Sequence, residues 1–506
     1  MSHVARTGHH SEIIQQLHEK YGPFVRLGPN HISIADPDAL EIVYGHGSGL
    51  MKSEFYGMFQ NGPNRDVFNT SDKVEHSKKR KRLANIFSPQ NVIAFEPRVR
   101  SHIRQLCAQW DFRCKEATHG TSGVNWTARN GKAQRAHPTT CDPRIEFSYL
   151  AFDIIGDLAL GSPFGLIQAQ KDSSLSIESV DASGEPLRGT VEIPVVKTIS
   201  RAGVTIMTVG VFPSWARKFL RLLPWNILGF FDLLNLFKLS TTSVDARLKR
   251  GPRKDMEDGK QSIDLIDKLL EARNEDGKPL SFNELCAEAV LLLIAGSDTT
   301  SNTLSSLCYH LAISPEIQRK LQAELDRHIP YLSSDESGNK GELIVPPYDA
   351  VAEYDDIKNL PYLNACVKEA LRLHSTVGTG LPRVVPPGKT ITVAGQTFKE
   401  GSVISVPSYT TNRLSVWGED AAEFRPERWL EDNAGSFNKY FVPFSVGPRA
   451  CIGRNLAYMD LMLIVATLFR RYQVEALPTT KMVIHEGFVR ETAHCEVAIK
   501  RRRAPE

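Results

Sequence analysis

Residues 444–453 read F-S-V-G-P-R-A-C-I-G, a glycine-bearing loop whose single cysteine, Cys451, directly precedes an apolar helical stretch. Backbone N–H groups and the dipole at a helix start stabilise a thiolate, and a thiolate tempered by N–H donors suits an iron ligand. Gly447 and Gly453 would let the backbone approach a flat cofactor, and Arg449 is placed to reach an anionic group on it. A buried free cysteine is the alternative, which the whole ten-residue constellation disfavours.

A second motif interrupts a long apolar helix that we predict over residues 285–313. Residues 295–300 read A-G-S-D-T-T, a poor composition for a buried helix interior. Gly296 leaves room for a neighbouring element, and a threonine can bend a helix by bonding to a carbonyl one turn earlier. A buried Asp298 beside the Thr299 hydroxyl would form a proton relay. A locally kinked helix with a solvated polar patch remains the alternative.

Two further motifs indicate an ion network. Glu369 and Arg372 lie three residues apart on a predicted helix over residues 360–374, so they share a face and can pair. Such pairs are common on protein surfaces. Residues 424–429 read F-R-P-E-R-W, a turn from which Arg428 could join the same pair. We interpret the three charged residues as structural.

Composition and charge narrow the class of protein. The chain has 506 residues, and 61 Lys and Arg against 58 Asp and Glu leave a net charge of +3, too little to suggest a nucleic-acid binder. Eight widely spaced cysteines exclude a disulfide scaffold, and the chain contains no flavin or nicotinamide fingerprint. Short strand-like runs near the N-terminus and helical periodicity after Asp264 predict a mainly α single domain with a minor β part.

Two segments depart from this pattern. Residues 113–141 show neither helical nor strand periodicity, which predicts an atypical insertion without regular structure, either disordered or derived from a retained intron. It would follow a helix that ends near Trp110 and precede one over residues 147–160. Residues 219–239 are apolar but contain charged residues and a proline, which predicts an amphipathic stretch rather than a membrane span. Peripheral membrane contact and plain packing are both open for that stretch.

In this order and spacing, the four motifs resemble those of the cytochrome P450 family of haem-thiolate monooxygenases. The resemblance implies a cytochrome P450 catalytic domain over residues 21–506 with a long central helix over the haem. Residues 1–20 would be an N-terminal remnant without the family's membrane anchor. The implied cofactor is haem b, with Cys451 as the axial ligand of its iron.

The same resemblance implies roles for further residues. Asp298 and Thr299 would be the acid–alcohol pair that delivers protons during oxygen activation. His76 occupies a position where the family often has tryptophan. The network that locks the fold behind the haem would contain Glu369, Arg372 and Arg428. The remaining cofactor-binding residues would be Phe444 and Gly447 in the cysteine loop and three propionate partners, Arg449, Arg383 and Arg80.

A closer likeness is to the fungal benzoate 4-monooxygenase branch of the family. It is carried by residues 52–56, 68–81, 373–389 and 433–457. It implies hydroxylation of benzoate, or a related aromatic carboxylate, at the ring position opposite the carboxyl group. The substrate carboxylate needs a hydrogen-bonding or cationic partner, which the sequence does not identify. Tailoring of a secondary metabolite, or an inactive haem-binding copy, are the alternatives.

The resemblance also implies an external source of electrons, an NADPH–cytochrome P450 reductase, with cytochrome b5 as a second candidate. A small aromatic substrate and O2 would be the other reactants, and residues 219–239 the membrane contact. The family places such enzymes at the cytoplasmic face of the endoplasmic reticulum; without the anchor we expect a soluble or peripheral protein. Positive charge for reductase docking is expected from Lys439, Arg454, Arg470 and Arg471.

Overall fold

Helices make up most of the chain, and many of them begin at a proline or at a capping side chain. The computed structural model describes residues 1–60, 62–123, 126–135, 145–180, 186–251, 256–257, 260–261, 264–273, 277–329 and 351–502. The helices are α1 (Ser2–Arg6), α2 (His10–Tyr21), α3 (Ala39–Tyr44), α4 (Lys73–Ile86), α5 (Pro89–Ile93), α6 (Glu96–Thr118), α7 (Glu146–Leu160), α8 (Leu166–Ala169), α9 (Val195–Gly210), α10 (Ser214–Leu220), α11 (Pro224–Arg250), α12 (Leu265–Glu271), α13 (Phe282–Ile313), α14 (Pro315–His328), α15 (Tyr354–Ile357), α16 (Pro361–Leu373), α17 (Ser408–Thr411) and α18 (Arg454–Arg471). Short 3-10 helices lie at Glu54–Phe59, Ser415–Trp417, Pro426–Trp429, Ala434–Lys439 and Gly447–Arg449.

The strands are short and form several small sheets. They are β1 (Phe24–Arg26), β2 (His31–Ile34), β3 (Met51–Lys52), β4 (Trp126–Arg129), β5 (Lys132–Arg135), β6 (Ser174–Val180), β7 (Pro186–Ile193), β8 (Met256–Glu257), β9 (Lys260–Gln261), β10 (Arg383–Val384), β11 (Thr390–Val393), β12 (Gln396–Lys399), β13 (Val403–Ser405), β14 (Tyr472–Ala476), β15 (Val483–Glu486), β16 (Arg490–His494) and β17 (Val497–Arg501). The largest sheet has the order β1-β2-β13-β10-β3, in which β13 and β2 run parallel. The mainly α prediction with a minor β part is confirmed.

The longest helix, α13, crosses the middle of the main core. Ser281 caps its first turn through a capping box with Glu284, so the helix begins where the sequence predicts. Side chains of α7, α16 and α18 join α13 in one hydrophobic cluster. A Cβ on Gly296 would lie 2.7 Å from Cγ1 of Ile155 on α7. The room that Gly296 leaves is therefore filled by that neighbouring helix.

The segment predicted to lack regular structure is largely ordered. Helix α6 continues through Arg113 to Thr118, and β4 and β5 form a hairpin that pairs with β17 near the C-terminus. The prediction is thus wrong for residues 113–118 and 126–135, while residues 124–125 and 136–141 lie outside the described part. The two-residue turn Asn130-Gly131, both with positive φ, is the hairpin signal that the sequence analysis missed. Whether the segment is an insertion relative to the family stays a prediction.

One helix in the described ranges, α11, is long and apolar enough to cross a membrane by length and composition, with 44% of its most apolar window buried. Its inner face packs on α9, where Arg201 donates to Asp232 at 2.7 Å. Its outer face continues that of α10. Seven large apolar side chains are exposed along the two helices and the turn between them: Trp215, Phe219, Leu222, Trp225, Leu228, Phe231 and Leu234. Whether this region contacts a membrane, spans it or only packs on the protein stays a prediction.

Candidate haem-thiolate site

The cysteine loop is held in shape by its own backbone. The Cys451 N–H donates to the carbonyl oxygen of Phe444 at 2.8 Å, and positive φ angles at Ser445 and Gly447 turn the chain between them. The backbone N–H of Gly453 bonds to the cysteine sulfur; this bond opposes the rise in the pKa of Cys451 that burial causes. Of the seven described cysteines, Cys451 alone is exposed. A side chain that is both accessible and desolvated by surrounding protein borders an internal opening.

The two loop glycines differ in their surroundings. A Cβ on Gly447 would lie 2.3 Å from the Tyr44 carbonyl oxygen, and its φ is +70°. Glycine is therefore required there by the approach of the chain at Tyr44 and Gly45, and the cofactor approach expected from the sequence stays a prediction. A Cβ on Gly453 would meet no atom within 4 Å.

The polar motif of α13 lies on a helix with one accessible stripe. Ala295 is exposed, and Leu291 and Thr299, one turn to either side, are partly exposed, whereas most of the flanking residues are buried. A stripe at this spacing on a core helix means that the helix borders an opening. The Thr299 Oγ1 donates to the Ala295 carbonyl at 2.8 Å. Asp298 is buried, which contradicts the alternative of a solvated polar patch.

Four cations gather beside the cysteine loop. Arg80 of α4 donates to the Ala450 carbonyl at 2.6 Å, Arg449 to the Thr70 carbonyl at 2.6 Å, and Arg383 of β10 to the Tyr56 hydroxyl at 2.6 Å. Their partners are neutral oxygens. Within the described ranges no carboxylate forms an ion pair with these three arginines or with the fourth cation, the buried Lys52.

The mutual repulsion of these cations is visible in their pKa values. Burial and the neighbouring Arg383 lower the pKa of the Arg449 guanidinium to about 10. Burial, Arg449, Lys52 and Arg80 together lower the pKa of His76 to about 3, so its imidazole is neutral at pH 7. Buried cations without counter-ions are costly. The cluster therefore fits a bound group that carries carboxylates, and the two propionates of haem b meet this requirement.

The predicted ion network is closed and buried. Arg372 donates two hydrogen bonds to Glu369, at 3.0 and 2.8 Å, and Arg428 donates to the same carboxylate at 2.9 Å. Trp429 Nε1 donates a further bond at 2.9 Å. Arg372 also donates to the carbonyls of Asn412 and Ala421. Every charge in the network thus has a partner, and Glu369, Arg372 and Arg428 are all fully buried.

Part of the predicted docking surface is wrong. Arg470 and Arg471 are buried, Arg470 against the carbonyl of Ile329 and Arg471 in an ion pair with Asp111 on α6. Lys439 is exposed but pairs with Asp38. Arg454 remains exposed at the start of α18. The period of α18 turns its last two arginines toward the protein, which a count of charges along the sequence does not reveal.

Sequence reasoning missed Lys52 and the aromatic residues around it. Lys52 is only 7% exposed, although its strand neighbour Met51 is 41% exposed. The ladder pairs Lys52 with Arg383, more than three hundred residues away. No local pattern marks a lysine as buried; only the pairing of β3 with β10 does so. The inverted order of an outward methionine and an inward lysine is the one signal available, and it is weak.

The domain is rich in helices and has one long central helix. An accessible cysteine lies in a glycine-bearing loop beside a cation cluster. Together these features are typical of haem-thiolate proteins. The family profile "Cytochrome P450" matches residues 1–497, and this chain belongs to that family. It is a monooxygenase of the oxidoreductase class, and its cofactor is haem b.

Individual relatives agree with this assignment. The chain is 37% identical over 502 residues to benzoate 4-monooxygenase bphA of Aspergillus niger. The alignment covers 98% of this chain and 89% of that one. It is 27% identical over 474 residues to pisatin demethylase of Fusarium vanettenii, covering 93% and 81%. A cytochrome P450 crystal structure (CYP102L1) superposes with a TM-score of 0.70 at 19% identity over 97% of this chain and 94% of that one. This likeness shows the predicted single-domain cytochrome P450 fold.

Proposed function

We propose that this monooxygenase hydroxylates benzoate, or a closely related aromatic carboxylate, at the ring position opposite the carboxyl group. The observation that carries the proposal is the 37% identity to an Aspergillus niger benzoate 4-monooxygenase over almost the whole chain. Fold alone does not determine a substrate. The surplus of buried positive charge beside the site adds support, because it favours a negatively charged substrate.

Haem b is held by residues of four elements in this proposal. The Cys451 thiolate binds the iron, and Arg80, Arg383 and Arg449 donate to the propionates. His76, neutral at pH 7, offers a further N–H from α4. Phe444 packs on Tyr458 at 5.1 Å between ring centroids and so steadies the loop that presents the cysteine. The bound haem supplies reductive activation of O2 and transfer of one oxygen atom to a C–H bond.

Side chains of α13 would supply the protons. The Thr299 hydroxyl faces the opening and now donates to Ala295; rotation about its Cα–Cβ bond would direct that proton into the opening. Asp298, buried on the same turn, would restore the proton. The helix at this point is stabilised by Asn302, whose Nδ2 donates to the Asp298 carbonyl and whose Oδ1 accepts from the Thr492 N–H on β16.

Electrons would come from an NADPH–cytochrome P450 reductase, with cytochrome b5 as a second donor. Arg454 and Lys368 line a surface depression at the start of α18, next to the cysteine loop. A negatively charged partner surface would fit there. On another face, the exposed apolar side chains of α10 and α11, with Lys218 among them, would contact the membrane. This contact suits a protein at the cytoplasmic face of the endoplasmic reticulum.

The experiment that tests the function is titration of the ferric holoenzyme with benzoate, followed by product analysis with a reductase. We expect a shift from low to high spin and 4-hydroxybenzoate as the product. Haem without a spin shift, and without product, would favour the tailoring of a secondary metabolite. A spin shift without product under reducing conditions would favour an inactive copy.

The relay has its own test. Thr299→Ala should leave haem content and benzoate affinity unchanged and raise the hydrogen peroxide released per electron consumed several-fold. Thr303→Ala, one turn further along α13 with its hydroxyl on the Thr299 carbonyl, is the matched control. Equal coupling in the wild type and in Thr299→Ala would remove the proton-delivery role.

A further inference from the structure

Lys52 is buried without the partner that a buried ammonium requires. Its Nζ donates to the carbonyl of Phe68 and lies 4.2 Å from the ring centroid of Tyr56 and 4.1 Å from that of Phe68. In the described part of the chain it forms no ion pair with a carboxylate; Asp66 is near enough only to act through space. One carbonyl and two ring faces do not offset the desolvation of an ammonium group. This environment favours an anionic ligand beside the ammonium group.

An aromatic wall surrounds the lysine. Five rings, from the segment after β3, the loop before α4 and the β15–β16 turn, contact one another with centroid separations of 4.7 to 6.4 Å. Gly210 on α9 leaves the room for this wall, because a Cβ there would lie 2.7 Å from the Phe55 ring. The rings other than that of Tyr56 are partly exposed and so present apolar surface to open space. The five are Phe55, Tyr56, Phe59, Phe68 and Phe488.

A count of charges indicates which kind of anion Lys52 suits. Haem b brings two propionates, and the site holds four cations, of which Arg80, Arg383 and Arg449 suffice for two carboxylates. We take Lys52 as the cation left for another anion, because it lies closer to aromatic rings, at 4.1 and 4.2 Å, than Arg383 does, at 5.0 and 5.5 Å. A ligand that satisfies both features has an aromatic ring for the wall and a carboxylate for the ammonium group.

We infer that Lys52 binds the carboxylate of the substrate, with the ring of the substrate packed on the wall formed by Phe59, Phe68 and Phe488. This assignment rests on the proposed function and supplies the carboxylate partner that the sequence could not identify. It makes Lys52 the residue that selects aromatic carboxylates over neutral aromatic compounds. Arg383, which pairs with Lys52 in the β3–β10 ladder, would bind a haem propionate.

The test compares benzoate with benzamide, a neutral molecule of nearly the same shape, by spectral titration of the ferric holoenzyme. We expect the wild type to prefer benzoate, and Lys52→Met to weaken benzoate binding by about 30-fold or more while benzamide is little affected. Lys52→Arg should keep most of the preference. The matched control is Lys399→Met, an exposed lysine on β12, which should change neither affinity.

Each result decides between distinct conclusions. An unchanged benzoate-to-benzamide ratio in Lys52→Met would overturn the assignment and leave the proposed function intact. Lys52→Met could instead lose part of its haem while the remaining holoenzyme keeps the benzoate-to-benzamide affinity ratio of the wild type. That result would mean that Lys52 binds a haem propionate and not the substrate. If Lys52→Met does not hold haem at all, Lys52→Gln replaces it with the same expectation. A wild type that binds neither benzoate nor larger aromatic carboxylates would overturn both proposals.

Discussion

Two groups of buried or partly buried arginines lie within one domain and differ in what balances their charge. In the first, Arg372 and Arg428 share the carboxylate of Glu369, Arg428 also pairs with Asp420, and carbonyl oxygens accept the other N–H bonds. In the second, Arg383 and Arg449 donate only to neutral oxygens. The first group is complete within the chain. The second is complete only when a ligand brings carboxylates.

The difference separates a structural role from a binding role more clearly than burial does. Both groups contain well-buried guanidinium groups, so accessibility alone would place them in one category. A closed ion network positions the segments that it joins, here α16 and the turn around Arg428. An open cluster of like charges raises the free energy of the unliganded protein and lowers it on binding an anion. Four predictions test this distinction.

The largest effect is expected where the closed network is broken. Glu369→Gln would leave Arg372 buried without a counter-ion and Arg428 with only its ion pair to Asp420; removal of one partner from a buried pair costs about 3–5 kcal/mol in comparable cases. We expect little or no folded holoenzyme, measured as the yield of soluble haem protein and its melting temperature. Glu316→Gln, an exposed residue paired with Arg319 at 3.7 Å, is the control and should change stability by less than about 0.5 kcal/mol. A stable, haem-loaded Glu369→Gln enzyme would contradict the structural role.

The second-largest effect is expected when the iron ligand is removed, and the fold should stay intact. Cys451→Ser should abolish the thiolate-type spectrum of the reduced carbon monoxide complex, because a serine oxygen does not replace a thiolate in this geometry. Circular dichroism should still show a folded protein, since the Glu369 network is untouched. Cys495→Ser provides a control at a cysteine of intermediate burial. Retention of the thiolate spectrum in Cys451→Ser would remove the ligand assignment.

A smaller effect is expected when one arginine of the cation cluster is removed. Arg449→Leu should speed the release of haem to a haem acceptor about tenfold, the loss of roughly 1.4 kcal/mol from a charged hydrogen bond. The unfolding of the haem-free protein should change much less, since the lost hydrogen bonds are partly offset by relief from Arg383 and Arg80. Arg26→Leu, a surface arginine that also donates to a carbonyl, is the control. If Arg449→Leu destabilises the haem-bound and the haem-free protein equally, Arg449 has a structural role like that of the Glu369 network.

The smallest effect is a pH dependence. The pKa of His76 is about 3 in the folded protein against 6.5 ordinarily, so between these values the unfolded state binds a proton that the folded state does not. The unfolding free energy therefore falls as the pH falls through this window, by about 1.4 kcal/mol per unit. His76→Phe should remove that slope from the haem-free protein and remove less from the holoenzyme, where propionates offset the arginines. Denaturant titrations at pH 7 and pH 5 measure it.

A second buried histidine is the control for this titration. His374 also has its pKa lowered to about 3, by burial and by Arg490 rather than by the cations that act on His76. His374→Phe should therefore reduce the slope equally with and without haem. If His76 and His374 behave alike, the cations around His76 do not act on it as the structure indicates.

Local motifs in the sequence predicted much of the fold and of the candidate site. The capping box at Ser281, the cysteine before α18 and the Glu369–Arg372 spacing were all readable because each depends on neighbours within a few residues. The β4–β5 hairpin was missed although its Asn130-Gly131 turn is a local signal, whereas its pairing with β17 leaves no local signal. The same local view failed at Arg470 and Arg471, whose direction depends on how α18 packs.

The sequence by itself determined the class of the protein, the cysteine loop and the polar motif of α13, because chemistry at close spacing leaves a pattern along the chain. The tertiary structure alone decided which charges are balanced. Lys52 and Arg383 become neighbours only through the β3–β10 ladder, and the accessible stripe on α13 exists only because other helices cover its remaining faces. The physical reason is that burial and electrostatic balance are properties of the assembled fold, since each depends on groups brought together from distant parts of the chain.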